Sequence, residues 1–340
     1  MQTPYKAEFF DRSFLFKCFY PISLPEIKMD YMTLDKTTIV IANLPELSRG
    51  WYCQITRGKD IAYQGVISSV SQSENATTVL LSPLQSLFGT QMFKKKSSYS
   101  KQNLEGWIAG LLTEYFIQSG DSVQNIPGLS VSCHTRTDGV AIKLDNDIFN
   151  FWTDIAKQAI EKARIVIFCS FDVMTRTLNA DIRSFPDAST LTIEADLPNI
   201  EKQNFTIRDG YGSVNKVVLI NNDNTSQKLS VTSDSYTVPT VCQIEKITVG
   251  QNQTFENAAR ERAAEIMKKE DFENLIELQI RANDMIVPDM SIGQPCRIIK
   301  NGTVYNTVLT GTVLSEGLRT LIFGGIRIEL TKILKGKGVI

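Results

Sequence analysis

The sequence contains a single histidine among 340 residues, which removes most of the chemistry that enzymes perform with imidazole. Any Ser-His-Asp or Cys-His mechanism would have to use His134. Its neighbour Cys133 points to the opposite face if both residues lie on a strand, so a direct pair is disfavoured there. A histidine on the surface or in a loop is the simpler interpretation. A zinc site is equally disfavoured, because no Cys-x-x-Cys pair is present.

Long apolar runs and excess charge are also missing. No segment approaches about 18 consecutive apolar residues, so no membrane span is expected. The formal net charge of -1 argues against a protein that mainly holds phosphate backbones. A standard secretory signal is not expected, because the first residues include Glu8 and Asp11 and contain no apolar segment. The cysteines are widely spaced and are expected to be free, mostly buried thiols: Cys18, Cys53, Cys133, Cys169, Cys242 and Cys296.

The remaining candidates for chemistry are carboxylates. Asp145 and Asp147 stand just before a helical pattern, where capping and favourable contacts with the helix dipole explain them. Calcium binding is the minor alternative, because the spaced ligands and central glycine of a calcium loop are missing. The sequence contains neither of two glycine-rich phosphate-binding motifs, Gly-x-x-x-x-Gly-Lys-Ser/Thr and Gly-x-Gly-x-x-Gly. We therefore expect no catalytic, cofactor-binding or metal-binding residues and no cofactor, although a glycosidase-type carboxylate pair stays open at this point.

Hydrophobic periodicity divides the chain into strand-rich ends and a mixed centre. Asn103 is a plausible N-cap for an amphipathic helix that contains Trp107, and a second helix with Trp152 is predicted after Asp147. A third, alanine-rich helix is predicted from Phe255 to about 269, with Thr254 as N-cap. The strands are predicted at 37–42, 51–56, 64–70, 77–81, 165–171, 178–182, 190–193, 216–220, 274–280, 296–300, 304–312 and 320–330.

The two ends of the chain carry similar strand patterns. Cys53-Gln54-Ile55 and Cys296-Arg297-Ile298 both run into a basic residue and a glycine turn. Each is followed by a strand with a glycine, Gly65 or Gly311, and then by an apolar strand that opens with threonine. The Cys-to-Gly spacings are 12 and 15 residues, so the match is not strict. The pattern favours an internal duplication, with chance similarity of small antiparallel units as the alternative.

These patterns predict a mainly β protein with two small antiparallel β-barrels, N-terminal and C-terminal, and a mixed α/β central region. We expect an N-terminal barrel over 1–98 and a central region over 99–240, which divides into 99–190 and 191–240. A linking helix and the second barrel are expected over 241–340. Lys94–Ser100 is a break in composition, interpreted as a solvated loop or as a contact for nucleic acid or an acidic partner.

Four segments resemble baseplate-hub and tail-tip proteins of tailed bacteriophages and related contractile injection systems. They are Phe10–Phe14, Asp147–Ala156, Ala258–Ala263 and Pro288–Ile298. The resemblance covers nearly the whole chain as a pattern of elements. It implies a homotrimer whose two barrels per subunit form a hollow ring that continues the hexameric tail tube, with the central domains outside.

The resemblance further implies a non-enzymatic structural subunit of the virion, made in the host cytoplasm. Its expected partners are tail tube or distal tail proteins, the tape-measure protein and tail fibre or tip extension proteins. DNA would pass through the channel without sequence-specific binding. Larger members carry a C-terminal extension, so a chain that stops at Lys335–Ile340 is expected to match the hub core.

Two other functions stay open from the sequence. A cell-wall-degrading peptidase or glycosidase of the tail tip would depend on a carboxylate or on His134. A β-rich adhesin or carbohydrate-binding protein would need exposed aromatic residues on one face, and the candidates are Tyr211, Tyr236 and Tyr305.

Overall fold

The fold is mainly β, as predicted: 50% of the residues lie in strands and 16% in helices, with two curled half-barrel sheets. The computed structural model describes residues 5–23, 25–31, 34–42, 46–93, 102–140, 142, 144, 147–185, 189–207, 214–233, 242–249, 253–267, 274–282, 286–287, 290–315 and 317–325. In this part of the chain, no helix has the length and apolar character needed to cross a membrane.

The first sheet contains six antiparallel strands in the order β2-β1-β5-β6-β7-β4. Alternating side chains such as Phe9, Ile39 and Val79 point into one core, because successive strand residues face opposite sides of a sheet. Burying each such side chain stabilises the fold by about 1.5–3 kcal/mol. The strands are β1 (Tyr5–Phe10), β2 (Phe16–Ile22), β4 (Thr37–Ile41), β5 (Tyr52–Arg57), β6 (Asp60–Gln72) and β7 (Thr77–Pro83).

The second sheet has seven strands and includes one from the N-terminal region. Its order is β13-β19-β20-β21-β18-β14, and β3 (Ile27–Asp30) pairs with β20. Leu278, Ile298 and Leu321 lie in its core. The other strands are β13 (Leu191–Glu194), β14 (Ile200–Thr206), β18 (Leu275–Arg281), β19 (Pro295–Lys300), β20 (Thr303–Ser315) and β21 (Leu318–Gly324).

A central unit packs helices against a three-stranded sheet. Helix α1 (Leu104–Phe116) begins at Asn103, whose side chain accepts a hydrogen bond from the Gly106 amide at 3.0 Å, as predicted. Trp152 is buried in the same core. The predicted hairpin at 165–182 is confirmed. The strands of this unit are β8 (Gln91–Phe93), β9 (Leu129–Cys133), β10 (Ile148–Asn150), β11 (Ile165–Asp172) and β12 (Thr177–Ser184).

The second predicted helix begins later than its periodicity indicated. Ile148 lies in β10, is 50% exposed and pairs with Phe93 of β8. A π-helical turn, Phe151–Ala156, follows, and the regular helix α2 is Lys157–Ala163. The Asn150 side chain accepts from the Trp152 and Thr153 amides. The helical turn therefore begins at Phe151, three residues after Ile148, because the Asn150 side chain satisfies amides that would otherwise lack partners.

A smaller unit combines a three-stranded sheet with the alanine-rich helix. Strand β15 (Lys216–Asn221) lies between β16 (Lys228–Thr232) and β17 (Cys242–Ile247). Helix α3 (Phe255–Met267) places the buried Ala259 and Ala263 against Val217 and Leu219. Small side chains permit this close approach between helix and sheet, as the sequence predicted.

Several predictions made from the sequence fall outside the described residues. These are the loop Lys94–Ser100, the carboxylate of Asp145, the aromatic residues Tyr211 and Tyr236, the segment Pro288–Asp289 and the terminal Lys335–Ile340. The domain boundaries at 98, 190 and 240 stay predictions. The sheets nevertheless exchange strands across them, since β3 joins the second sheet, and so do β13 and β14.

Candidate functional site

The two large sheets contain the same four-stranded unit. In the first it is ordered β5-β6-β7-β4 and in the second β19-β20-β21-β18, with every neighbouring pair antiparallel. The first three strands of each unit have 6, 13 and 7 residues in both sheets. A two-residue turn joins the first two of these strands in each, at Gly58-Lys59 and at Asn301-Gly302, where positive backbone φ angles occur.

A β-bulge stands at the same place in both units. The register between β6 and β7 shifts around Ser68, and that between β20 and β21 shifts around Thr310. The Ser68 hydroxyl donates to the Leu80 carbonyl at 2.9 Å. The Thr310 hydroxyl lies within hydrogen-bond distance of two carbonyls, that of Gly324 at 2.9 Å and that of Ile322, the residue equivalent to Leu80, at 3.2 Å. The extra residue of a bulge disrupts the ladder locally, so a hydroxyl at this point supplies a hydrogen bond there. Matching bulges support a duplication.

The glycines that suggested the repeat are not equivalent. Gly65 pairs with Cys53, whereas the residue that pairs with Cys296 is Thr307. Gly311 lies further along β20, beyond the bulge. The unequal spacing seen in the sequence came from comparing these two glycines. A bulge between Ile55 and Thr56 adds one further residue to the first hairpin.

Each of the two glycines lies close to the backbone of a different neighbouring strand. A Cβ atom at Gly65 would lie 2.6 Å from the Ser82 carbonyl oxygen of β7. A Cβ at Gly311 would lie 3.1 Å from the Met29 carbonyl oxygen, because β3 runs beside β20 there. Gly65 therefore permits close packing inside one unit, and Gly311 permits close approach between the two units.

Strand β3 joins the two units. Its residues Ile27 to Asp30 pair with Leu314 to Gly311, and the Tyr31 amide donates to the Thr310 carbonyl at 3.0 Å. On its other side, the Lys28 amide donates to the Thr37 hydroxyl at 3.3 Å, at the start of β4. The strands thus follow one another in space from β14 through β18, β21, β20 and β3 to β4, β7 and β6, although β3 and β4 share no ladder and belong to separate sheets.

The strands β14, β18, β21, β20, β3, β4, β7 and β6 each turn one side toward a core. We call the opposite side, which points away from both cores, the outer face. In the first unit its residues are uncharged: Thr38, Val40, Ser69, Ser71, Thr78 and Leu80. In the second unit they are Glu277, Gln279, Val313, Thr320 and Ile322. The Arg281 guanidinium at the end of β18 pairs with Glu201 at 2.8 Å. Lys28 of β3 and Lys202 of β14 lie on the same face, opposite Val313 and Gln279, so the described outer face carries charges of both signs.

A cavity of about 540 Å³ lies where the two sheets meet the central unit. Residues of β3, β6, β11 and β20 line it, and Asp30 and Arg319 are the charged residues in its lining. The cavity is thus a gap at the joint between units, and Cys169 and Ser291 are among its other polar lining residues.

His134 lies on the surface, as the sequence predicted. Its side chain is 64% exposed, and its Nε2 atom is 3.1 Å from Oδ1 of Asp181. The Ser132 hydroxyl donates to the same carboxylate oxygen at 3.4 Å. The carboxylate therefore lies between serine and histidine, whereas a catalytic triad requires the histidine to lie between the other two.

Two cysteines correct the prediction of mostly buried thiols. All six are free, and Cys133 and Cys242 are exposed because they lie on the sheet edges β9 and β17. Cys53 and Cys296 occupy the second position of matching strands and are 0% and 1% exposed. Burial raises the pKa of Cys296 to about 12 and raises that of Cys53 further, so both thiols stay protonated.

Sequence reasoning missed the buried carboxylate of Glu105. It accepts hydrogen bonds from the Thr135 hydroxyl at 2.7 Å, the Thr137 amide at 2.7 Å and the Thr137 hydroxyl at 2.8 Å. Burial acts to raise the pKa of Glu105, but these hydrogen bonds outweigh it and hold the pKa below its usual value. From the sequence alone, the position of Glu105 in the first turn of α1 indicated only a favourable interaction with the helix dipole. The carboxylate fastens α1 to the segment after β9, which is a structural role.

The other candidates have structural surroundings. Tyr305 is half-buried, with its ring 5.5 Å from that of Phe205, so it is not part of an open aromatic surface. Asp147 precedes β10 rather than a helix. Within the described ranges, no group of three or more histidine, cysteine, aspartate or glutamate side chains is arranged to hold a metal ion.

The geometry defines a protein with two equivalent β units per chain, and solved structures share this fold. No protein-family model matches the sequence. No curated protein matches it either. The tail protein from Neisseria meningitidis MC58 is 13% identical, with a TM-score of 0.54 over 94% of this chain and 96% of that one. The prophage MuSo2 43 kDa tail protein from Shewanella oneidensis is 12% identical, with a TM-score of 0.55 over 94% and 98%.

A chain of the phage P2 baseplate in its activated conformation also matches. It is 11% identical, with a TM-score of 0.55 over 96% of this chain and 100% of that one. The chain therefore has the fold of phage tail and baseplate proteins, as the resemblance in its sequence implied.

Proposed function

We propose that this chain is a structural hub subunit of a phage tail tip or baseplate. Three copies would form a ring that continues the tail tube, serves as an attachment point and leaves an axial channel for DNA. The observation that carries this proposal is the duplicated four-stranded unit, with matching bulges at Ser68 and Thr310. Two equivalent units in each of three chains present six similar surfaces, which suits a hexameric partner.

The outer face suits the wall of such a channel. Its first unit, with Thr38, Ser69 and Thr78, is uncharged and offers DNA no cation to bind, whereas the second unit carries both Glu277 and Lys202 on this face. We propose that the outer face points toward the ring axis. The tube wall would then consist of the two large sheets. The rest of 99–240 would lie outside it, together with β17 and α3, which pack with β15 and β16 in one small unit.

The proposed role is structural and not enzymatic. The proposed neighbours are tail tube or distal tail proteins, the tape-measure protein and tail fibre or tip extension proteins, and the proposed location is the virion. The match to tail proteins over 94% or more of both chains supports this role, since it includes the central units as well as the sheets.

The oligomeric state tests the proposal directly. Light scattering coupled to size-exclusion chromatography should give a particle of three times the 38.1 kDa chain mass. Class averages from negative-stain images should show a threefold ring with a central opening. A chain that stays monomeric at high concentration, or a closed twofold dimer, would contradict the proposed ring.

A further inference from the structure

The two equivalent units differ in how one sheet edge is covered. In the second unit, β3 pairs with Gly311 to Leu314 of β20, and Gly311 and Thr312 are buried. The equivalent stretch of β6 begins at Ser69, and among the described residues its ladder partner is β7. Ser69 and Ser71 are exposed. The first unit therefore presents backbone groups that the second unit pairs with a neighbouring strand.

The second unit also carries a strand with a free outer edge. Strand β14 pairs with β18 on one side, and Glu201, Lys202, Gln203 and Asn204 in it are exposed. Its place beside β18 matches the place of β3 beside β4, because β18 and β4 are equivalent strands. Strand β3 uses its other edge to pair with β20, whereas the other edge of β14 has no ladder partner among the described residues.

We infer that β14 of one copy of this chain adds antiparallel to the Ser69–Ser71 edge of β6 in the next copy. The directions agree with this pairing. Within the chain, β14 is antiparallel to β18, and β3 is antiparallel to β20, which runs in the same direction as β18. In the first unit, β6 is the equivalent of β20. A strand that lies beside β6 as β3 lies beside β20 is therefore antiparallel to β6.

This contact uses different surfaces on its two sides. Each chain then offers one donor strand, β14, and one acceptor edge on β6, so copies associate head to tail and close into a ring if the rotation fits. The inference rests on the proposed function for the number of copies. It adds the identity of the interface: a joint between chains that repeats the β3–β20 joint inside each chain.

Charged side chains at the acceptor edge test the contact. The double variant Ser69→Lys with Ser71→Lys should remove the trimer peak while the circular dichroism spectrum stays that of the folded wild-type chain, because both positions are exposed. Thr78→Lys is the matched control. It places one lysine on the outer face of β7, next to Ser71 but away from the edge, and should leave the trimer intact.

Cysteine cross-linking tests the same contact without relying on the stability of a variant. In a background with Cys133→Ser and Cys242→Ser, Ser71→Cys is combined with Lys202→Cys or with Asn204→Cys, which share the outer face with Ser71. Mild oxidation should produce covalent dimers and trimers on non-reducing gels with at least one pair.

Two further pairs serve as controls for the cross-link. Ser71→Cys with Gln203→Cys places the thiols on opposite faces and should stay uncross-linked, because Gln203 pairs with Leu278 of the core face. Lys28→Cys with Val313→Cys joins directly paired positions of β3 and β20 and should form a disulfide within one chain.

The outcomes separate this inference from the proposed function. A wild-type protein that is monomeric would overturn both. A threefold ring that survives Ser69→Lys with Ser71→Lys and yields no same-face cross-link would overturn the β6–β14 contact and leave the ring standing. Loss of the ring in the edge variant, with same-face cross-links in the cysteine variants, supports the contact.

Discussion

Replacing Glu105 by glutamine should destabilise the central unit by about 1–3 kcal/mol at neutral pH. The side chain is 0% exposed, and its carboxylate accepts three hydrogen bonds of 2.7–2.8 Å. Each hydrogen bond to a charged group contributes about 1.5–3 kcal/mol, but an amide at this position retains part of them by rotating the threonine hydroxyls. The loss is therefore smaller than the sum over the three bonds.

The effect should depend on pH in a defined direction. The pKa of Glu105 in the folded protein is lowered, so its ionised form contributes stability above the pKa of the unfolded chain, near 4.5. This contribution is lost as the pH falls through the lowered folded pKa. The difference between the wild type and Glu105→Gln should therefore shrink below about pH 4.5, because the variant has no carboxylate to protonate.

Urea unfolding of both proteins between pH 7 and pH 3 measures this difference. Glu256→Gln is the matched control: Glu256 also lies in the first turn of a helix, but its ion pair with Arg260 is exposed. We expect that change to cost less than about 1 kcal/mol. A pH-independent difference for Glu105→Gln, or one no larger than the control, would refute the assigned role of the three hydrogen bonds.

Two further predictions concern the duplicated units. Thr310→Val should lower the free energy of unfolding by about 1 kcal/mol and Ser68→Ala by a similar or smaller amount, because each removes a hydroxyl bond at a bulge; equilibrium unfolding measures both, and unchanged stability in both would contradict this role. Iodoacetamide at pH 8 should label Cys133 readily and leave Cys53 and Cys296 unmodified until the protein unfolds, as mass spectrometry of peptides would report. Equal labelling of all three in the native protein would contradict their burial.

The joint between the two units has a consequence for the proposed ring. Because β3 leaves the first sheet and pairs with β20, its hydrogen bonds hold the two units in one orientation. In a ring of three such chains, three of the six joints between units lie inside the chains and are already formed. Only the joints between chains then depend on the concentration of the protein.

The amino-acid pattern alone was sufficient for the local elements. The stripe along α1, the cap at Asn103 and the hairpin around Asp172 follow from neighbours a few residues apart, and the structure confirms them. The mainly β class and the similar chain ends were also readable, because strand periodicity and turn residues are local signals. The expectation of no catalytic residues came from the single histidine and from the lack of metal-ligand spacings, and it stays a prediction.

Strand pairing was decided by the tertiary structure. An alternating segment has the same pattern whichever strand it pairs with, so nothing local assigns β3 to β20, which follows it by more than 270 residues. The same holds for the pairing of β8 with β10 and for β13 and β14 in the second sheet. Gly65 and Gly311 misled the alignment of the repeat, because they lie on opposite sides of the matching bulges at Ser68 and Thr310. The sequence by itself determined that two similar β units exist; long-range pairing determined how they join and which edges they leave open.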